Sequence, residues 1–512
     1  MGKYLVGIDN GSTMAKAAIF DTLGNELATA SRKVEYIYPA PERSEVDMNK
    51  LWADTAAVIK EAIEKAKIDP ADIACVACTG HGNGVYLVGP DGKPSNHCIR
   101  ADDSRSRSYI EQWIADGTHD RVLPKITQIL WPGQPNSILR WLKDNEPEVI
   151  ERAQWFFTAK DFCRFMLTGE AYQEISDTSG CSLMDVTTGE YDDEILAAWG
   201  IEDLKRIMPP LRQSHDICGH VTAEASAQTG LKEGTPVAGG MFDIDACGLA
   251  CSMTDETELV MIAGTWGNNQ YITREPVVSK NIFMNTCYSI PGYYLVLEGS
   301  ATSASNFEWL VTEFFQADQE LMKAKGDGRS IYAYCTELVE QTKPTDAGIV
   351  FLPYLYGSPV SLDAKAAFFG LEGRHQVGHV IRAMFEGIIF GHYWHVERLL
   401  PLRDGVMPEH IRLTGGAARS EVWSQMIADI FQTSVEIPHG SELGGLGCAI
   451  CGAVATGIYA SYDEACQSMV KIDRTYSPNP ELAGVYRKKY ARYKKMLEVL
   501  QPVWEEMVWT GE

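Results

Sequence analysis

Two carboxylates close a short apolar run in Val237-Ala-Gly-Gly-Met-Phe-Asp-Ile-Asp-Ala246, where the pair Gly239-Gly240 precedes Asp243 and Asp245. Small residues follow, Ala246, Gly248 and Ala250, so a strand end passing into a closely packed helix is expected. A ligand hydroxyl could reach a carboxylate at such a point. Phosphoryl transfer to an alcohol asks for positioning, charge neutralisation and a base that takes the hydroxyl proton. Asp243 is read as that base, and Asp245 as a helix cap or supporting residue.

Three small-residue turns follow apolar runs: Asp9-Asn-Gly-Ser-Thr13, Gly264-Thr-Trp-Gly-Asn268 and Gly415-Gly-Ala-Ala418. Small residues let backbone N–H groups and hydroxyls approach phosphate oxygens with no Cβ in the way. Asp9 could hold a hydrated Mg²⁺ against those phosphates, and Lys16 could neutralise charge beside the turn. Neither G-x-x-x-x-G-K-[ST] nor G-x-G-x-x-G occurs, which removes the main support for a P-loop or a Rossmann site. Cys75/Cys78 and Cys448/Cys451 match C-x-x-C. The first pair falls in an expected strand, where i and i+3 face opposite ways, and the second sits among Gly and Ala as close-packing residues. His392 and His395 lack an identifiable third metal ligand and are assigned to the polar side of a long helix.

The elements that must position these residues alternate between strand and helix, which points to an α/β fold. The opening reads as three strands, Tyr4–Ile8, Ala15–Phe20 and Leu27–Ser31, separated by turn chemistry. Helical periodicity covers 51–67; a buried strand, Ile73–Cys78, leads into the glycine-dense loop Gly80–Gly84. Helices are expected over 136–142, 149–167, 377–400, 420–431 and 444–460. A second strand–turn–strand unit over 258–273 echoes the first and hints at two related halves meeting near 247–257.

The 512 residues carry 45 Lys+Arg and 69 Asp+Glu, a formal charge of −24, which argues against nucleic-acid or anionic-membrane partners. Thirteen cysteines without a secretory pattern suggest reduced thiols, and no run approaches the roughly 18 apolar residues of a membrane span. The chain reads as a cytoplasmic enzyme.

In this order the pieces resemble the FGGY family of carbohydrate kinases, within the actin/hexokinase/Hsp70-like ATPase superfamily, from Tyr4 to about Ala460. Ala366-Ala-Phe-Phe-Gly-Leu371 followed by His379–Glu386 is similar to the family's C-terminal signature. Gly7–Thr13 and Gly264–Gly267 resemble its two phosphate motifs, Leu413–Ala418 its adenosine motif, and Gly240–Asp243 the segment of its catalytic aspartate. Phe242 stands where that segment usually has Gly.

The resemblance implies two actin-like (ribonuclease H-like) α/β domains around a central cleft, a sugar side over 1–246 and an ATP side over 247–512. Asp243 would deprotonate the sugar, and Asp9 would place Mg²⁺ through water. Gly11, Ser12, Thr13, Lys16, Gly264, Thr265, Gly415, Gly416 and Ser420 would meet ATP. Gly82, Asn83 and Asp102 would meet the sugar, with Asp103, Arg105, Gln134 and Asn268 as further cleft residues. Gly82-Asn83 stands where D-xylulose kinases carry Met-His and glycerol kinases Arg-Glu, and Ala101 where both usually have Trp. The implied activity is ATP-dependent phosphorylation of a terminal hydroxyl of a pentulose, best L-xylulose. Erythritol kinase, a D-xylulose or ribulose kinase, and a catalytically silent nucleotide sensor are the alternatives. A homodimer is the expected assembly.

Overall fold

Val6, Ile8, Ala17, Ile19, Val76 and Cys78 share one hydrophobic core and explain the first sheet of the computed structural model, which describes residues 2–358, 360 and 363–506. Tyr4–Asn10 pairs antiparallel with Met14–Asp21 on one side and parallel with Ile73–Gly80 on the other. Its near-continuous burial is what a strand covered on both faces requires. The sheet runs Ile217–His220, Pro236–Ala238, Ile73–Gly80, Tyr4–Asn10, Met14–Asp21, Glu26–Lys33, and Met241–Phe242 also pairs with Ile73–Gly80. Helix Met48–Ala66 begins where Asp47 accepts from the Asn49 and Lys50 amides and ends at Lys67 in the left-handed conformation. Its Leu51, Trp52, Val58 and Ile59 join the same core.

Two compact units make up the chain, and they are not separated by one cut. The first comprises 1–256, 272–296 and 440–471; the second comprises 257–271, 297–439 and 472–512. Two segments beyond residue 247 therefore pack with the N-terminal unit, unlike a single boundary between 246 and 247. The reason is visible in helix Leu443–Ala455, whose glycines let backbones approach closely. A Cβ on Gly7 would lie 2.2 Å from the Gly445 carbonyl oxygen, and one on Gly447 would lie 2.2 Å from that of Ala246. The helix is thus keyed to the first strand and to helix Asp243–Ala250.

In the second unit Glu258–Ala263 pairs antiparallel with Gly267–Thr273 and parallel with His410–Thr414, which pairs parallel with Ser434–Pro438. The hairpin with a parallel neighbour repeats the pattern of the first unit, as the echo in sequence suggested. Phe385 of helix Val377–Leu399 stacks on Trp423 of helix Glu421–Phe431 at 4.2 Å between ring centroids.

Three expected elements differ. The expected helix over 149–167 is two helices, Pro147–Arg152 and Ala159–Thr168, around the strand Trp155–Phe157. The helix expected to reach 460 ends at Ala455. His392 and His395 are buried, not on a polar face: Nδ1 of His392 bonds Asn269 Oδ1 at 3.1 Å, and Nδ1 of His395 bonds Asn269 Nδ2 at 3.0 Å. A single amide on a neighbouring strand bonds Nδ1 of both rings, and Ser303 Oγ meets Nε2 of His392 at 2.8 Å, which a one-dimensional period does not reveal. Among the described residues no helix is long and apolar enough to cross a membrane.

Candidate active site

Register places the two carboxylates of the first unit. Ile73–Gly80 sets Thr79 and Gly80 beside Asp9 and Asn10 on one edge and beside Met241 and Phe242 on the other. Thr79 Oγ1 donates to the Met241 carbonyl at 2.8 Å. Asp9 and Asp243 therefore leave the C-terminal ends of two parallel strands that flank a third, where open α/β sheets place ligands.

Asp9 lies directly across the antiparallel ladder from Lys16, whose Nζ is 3.0 Å from Glu442 Oε2. Burial pushes the Asp9 carboxyl up to about 6; Lys16 pulls it down and Glu442 adds to the rise. Lys16 is thus already engaged by carboxylates rather than free. A Cβ on Gly444 would lie 3.1 Å from Asp9 Oδ2, so glycine there leaves the carboxylate room. Ser12 and Thr13 are exposed, while their carbonyls accept from the Tyr36 hydroxyl and the Val34 amide. Gly11 faces Asp9 Oδ1 at 3.7 Å from its missing Cβ.

Asp243 is the first residue of its helix and half-buried. Burial raises its carboxyl well above the ordinary range, and the charges of Asp9 and Asp177 raise it further. Asp245, expected as a helix cap or a supporting residue, accepts from the Ser289 amide at 2.8 Å and hydroxyl at 2.9 Å. It fastens a loop rather than its own helix.

Beneath Asp243 lies a fully buried charge cluster. Lys160 Nζ is 2.9 Å from Asp161, 3.3 Å from Glu174 and 3.7 Å from Asp177, and Arg164 binds Asp161 at 2.6 Å. Glu174 accepts from the Ser176 hydroxyl at 2.8 Å, and that hydroxyl oxygen accepts the Phe242 amide at 3.1 Å. The backbone next to Asp243 is therefore tied to the cluster through one serine. Both Asp177 oxygens lack hydrogen-bond partners, and burial pushes its carboxyl up to about 7. Sequence reasoning missed this cluster; its signal was two cations and an aspartate within 160–164, in an otherwise apolar helix.

Gly82 and Asn83 sit in the loop after Ile73–Gly80, and Asn83 is buried with φ 62 and Oδ1 unpartnered. Val85 and Ile99 exchange backbone hydrogen bonds, which brings Arg100 and Ala101 alongside that loop. Asp102 is half-exposed and pairs with Arg100 at 3.0 Å. Asp103 and Arg105 do not line an opening. The Asp103 carboxylate accepts from the Ser44 amide and from Arg105, whose guanidinium also binds Glu45. Gln134 is buried, its Oε1 accepting the Trp131 amide at 3.1 Å. These three build the loops instead of facing a ligand.

The second unit contains a cavity of about 920 Å³, bordered by Gly264, Thr265, Gly416 and Ser420 among the expected residues. Gly415 adjoins it with φ 89; a Cβ there would lie 2.6 Å from Ala263. Ser420 caps helix Glu421–Phe431, accepting the Trp423 amide at 3.3 Å. Ser305 Oγ donates to the Thr265 carbonyl at 3.0 Å and fixes the turn. Asn268 lies on strand Gly267–Thr273, its Oδ1 2.5 Å from where a Cβ of Gly299 would be. Tyr332, Glu337, Glu340 and Trp423 also border the cavity; they come from helices with no local motif and were not foreseen.

The chain belongs to the FGGY family of carbohydrate kinases: residues 4–250 match the family's N-terminal domain and 259–456 its C-terminal domain. It is accordingly a sugar kinase, a phosphotransferase with an alcohol acceptor, in the two-domain actin-like α/β fold. The chain is 33% identical over 502 residues to the probable L-xylulose kinase of Pasteurella multocida, covering 97% of this chain and 99% of that protein. It is 32% identical over 503 residues to the L-xylulose/3-keto-L-gulonate kinase of Escherichia coli, covering 98% of each. The crystal structure of xylulose kinase from Rhodospirillum rubrum matches with TM-score 0.86 and 25% identity, over 98% of this chain and 100% of that one.

Proposed function

We propose that this kinase transfers the γ-phosphate of ATP to a terminal hydroxyl of a pentulose, L-xylulose in the first instance. The observation that carries the reading is the placement of Asp243 just past a strand end, half-buried, its basicity raised first by burial and then by the charges of Asp9 and Asp177. The substrate follows from the two bacterial relatives named for L-xylulose. In this reading Asp243 accepts the hydroxyl proton, the sugar oxygen forms its bond to the γ-phosphorus, and the bond to ADP breaks. The proton remains on the Asp243 carboxyl until product leaves.

The cavity of the second unit takes the nucleotide, with Gly264 and Thr265 at its phosphate end and Gly415, Gly416 and Ser420 at the adenosine. The unit of 1–256, 272–296 and 440–471 supplies the sugar side, and that of 257–271, 297–439 and 472–512 the ATP side. Gly11, Ser12, Thr13 and Lys16 serve the phosphates, and Gly82, Asn83 and Asp102 the sugar. Among the described residues no group of three His, Cys, Asp or Glu could hold a metal by itself. That suits Mg²⁺, which keeps most of its waters and needs one or two carboxylates beside the phosphates. Asp9 fits as the outer-sphere oxygen donor, with Gly444 leaving it space. When bound, Mg²⁺ supplies charge neutralisation at the phosphates. The charge of −24 supports small-molecule partners over nucleic acid or anionic membranes, in a cytoplasmic enzyme. A homodimer is the assembly to test by sizing.

Sugar-dependent ADP release with Mg²⁺-ATP, across L-xylulose, D-xylulose, both ribuloses, erythritol and glycerol, tests the reading. L-Xylulose should give the highest kcat/KM; erythritol as the best acceptor would keep the mechanism and overturn the sugar.

A further inference from the structure

Asn269 joins two buried histidines of one helix, and one of these reaches a turn of the nucleotide cavity. An amide oxygen only accepts and an amide nitrogen only donates. His392 therefore carries its proton on Nδ1, donating to Asn269 Oδ1 at 3.1 Å, while His395 Nδ1 accepts from Asn269 Nδ2 at 3.0 Å. Burial keeps both rings neutral, pulling His392 down to about 4 and holding His395 well below its ordinary value. A neutral imidazole has one N–H and one bare nitrogen, so Ser303 Oγ donates to His392 Nε2, at 2.8 Å. The bonds thus run in one direction, from Ser303 through His392 and Asn269 to His395, and each polarises the next. His395 Nε2 ends the series without a hydrogen-bond partner among the described residues. Its ring borders a cavity of about 10 Å³, lined also by Ser300, Thr302, Tyr354 and Tyr493.

The other end of the series meets the turn Gly264–Gly267. A Cβ on Gly267 would lie 3.1 Å from His392 Cε1 and 3.1 Å from Ser303 Cβ, so ring and serine pack directly against that glycine. The two residues after Ser303 hold the start of the same turn. The Ala304 amide donates to the Gly264 carbonyl at 2.8 Å, and Ser305 Oγ donates to the Thr265 carbonyl at 3.0 Å. Two carbonyls whose negative ends would repel a phosphate are thereby occupied, and Thr265 stays exposed. Gly264, Thr265, Ala304 and Ser305 all border the cavity of about 920 Å³, whereas His392 and Ser303 lie behind them. A ligand there meets the turn and not the imidazole.

We propose that His392, its proton held on Nδ1 by Asn269, is a positioning residue for ATP: it orients Ser303 and so sets the turn that receives the phosphates. The inference rests on the reading of the second unit's cavity as the nucleotide site. Ser303 transmits the effect, because the residues that follow it grip Gly264 and Thr265.

The test uses the full-length enzyme. Nitrogen-15 spectra of labelled histidine read the tautomers, with His392→Gln and His395→Gln assigning the two signals. Nδ1–H at His392 and Nε2–H at His395 are expected, and any other combination overturns the series. Calorimetry with Mg²⁺-ATP measures the consequence. Ser303→Ala and His392→Leu should each weaken ATP binding at least about fivefold, the loss of one hydrogen bond, with KM for the best sugar acceptor within about twofold. His392→Gln keeps an oxygen that accepts from Ser303 and should recover most of the loss; equal effects of Leu and Gln would mean that the ring only fills space. Should His392→Leu not fold, Ser303→Ala decides alone. Thr265→Val separates the two readings. If it weakens ATP binding while Ser303→Ala and His392→Leu do not, the positioning role alone is overturned. If it too leaves ATP affinity unchanged, the nucleotide reading falls and the positioning role falls with it. Equal losses for ATP and sugar overturn the role as well, since they mark general destabilisation.

Discussion

The ring of Phe242 fills the space in which any side chain on residue 82 would begin: a Cβ on Gly82 would lie 2.2 Å from Phe242 Cε2. Gly82 departs from the residues other sugar kinases of the family resemblance carry there, and Phe242 stands where Gly is usual before the aspartate. The structure makes these two departures one. Phe242 occupies volume that a side chain on residue 82 would need, so the glycine follows from the ring.

Gly82→Ala should therefore cost about 1–3 kcal/mol of stability, the usual penalty for overpacking, and raise KM for the sugar. Pairing it with Phe242→Leu should recover much of both losses, because residues in contact couple. Thermal unfolding and sugar kinetics on the single and double variants check this; additive losses would refute the contact.

Asp243→Asn should keep nucleotide binding and lower kcat by roughly 10²–10⁴-fold, the range of a positioned base. Calorimetry with ATP and single-turnover kinetics separate the two effects. Near-wild-type kcat would remove Asp243 as the base.

Activity and stability should respond to pH in opposite directions. Asp9 titrates at about 6 instead of 3.8, and Asp243 is raised as well. A base works only when ionised, so kcat/KM should fall on the acid side at a higher pH than an ordinary carboxylate would give. For stability, the folded chain binds a proton at Asp9 between 3.8 and about 6 where the unfolded chain has lost it. The cost of keeping that carboxylate ionised is therefore full above about 6 and disappears toward 3.8. In metal-free buffer, Asp9→Asn should gain most in Tm over wild type above about 6, and the gain should vanish as pH falls. A gain that is constant with pH would contradict the shift.

Lys160→Met leaves Asp161, Glu174 and Asp177 buried with Arg164 as their one remaining cation in the cluster. Removing one partner from a buried ionic group costs about 3–5 kcal/mol. Denaturant unfolding should show that loss, and a variant as stable as wild type would mean that the cluster is neutral.

Gly415→Ala must adopt φ 89 and place its Cβ 2.6 Å from Ala263. ATP affinity should weaken at least tenfold while sugar affinity holds, as two separate titrations would show. A loss confined to the sugar would place Gly415 outside the nucleotide site.

Local signals in the sequence sufficed for the strand–turn–strand openings, because apolar runs and Asp/Asn/Gly/Ser turns are short-range features. The turns that carry Asp9, Thr265 and Gly416 were legible for the same reason. What could not be read locally depends on partners far along the chain. Trp155–Phe157 resembles helix until its partner strand Tyr86–Val88 is known. Lys16 looked like a free cation because Glu442 lies 426 residues away. Asp103 and Gln134 looked like ligand-facing polar residues because their internal partners are backbone amides, which leave no mark on composition.

Helix Leu443–Ala455 carries a last consequence for biosynthesis. Its glycines complete a unit whose first strand is Tyr4–Asn10, so during synthesis that strand waits for residues 443–455. Strand Tyr4–Asn10 and the helix of Asp243 lack the helix that packs against both until residue 455 has emerged. A nascent chain stopped short of that point has an uncovered apolar sheet face and is a natural client for chaperones.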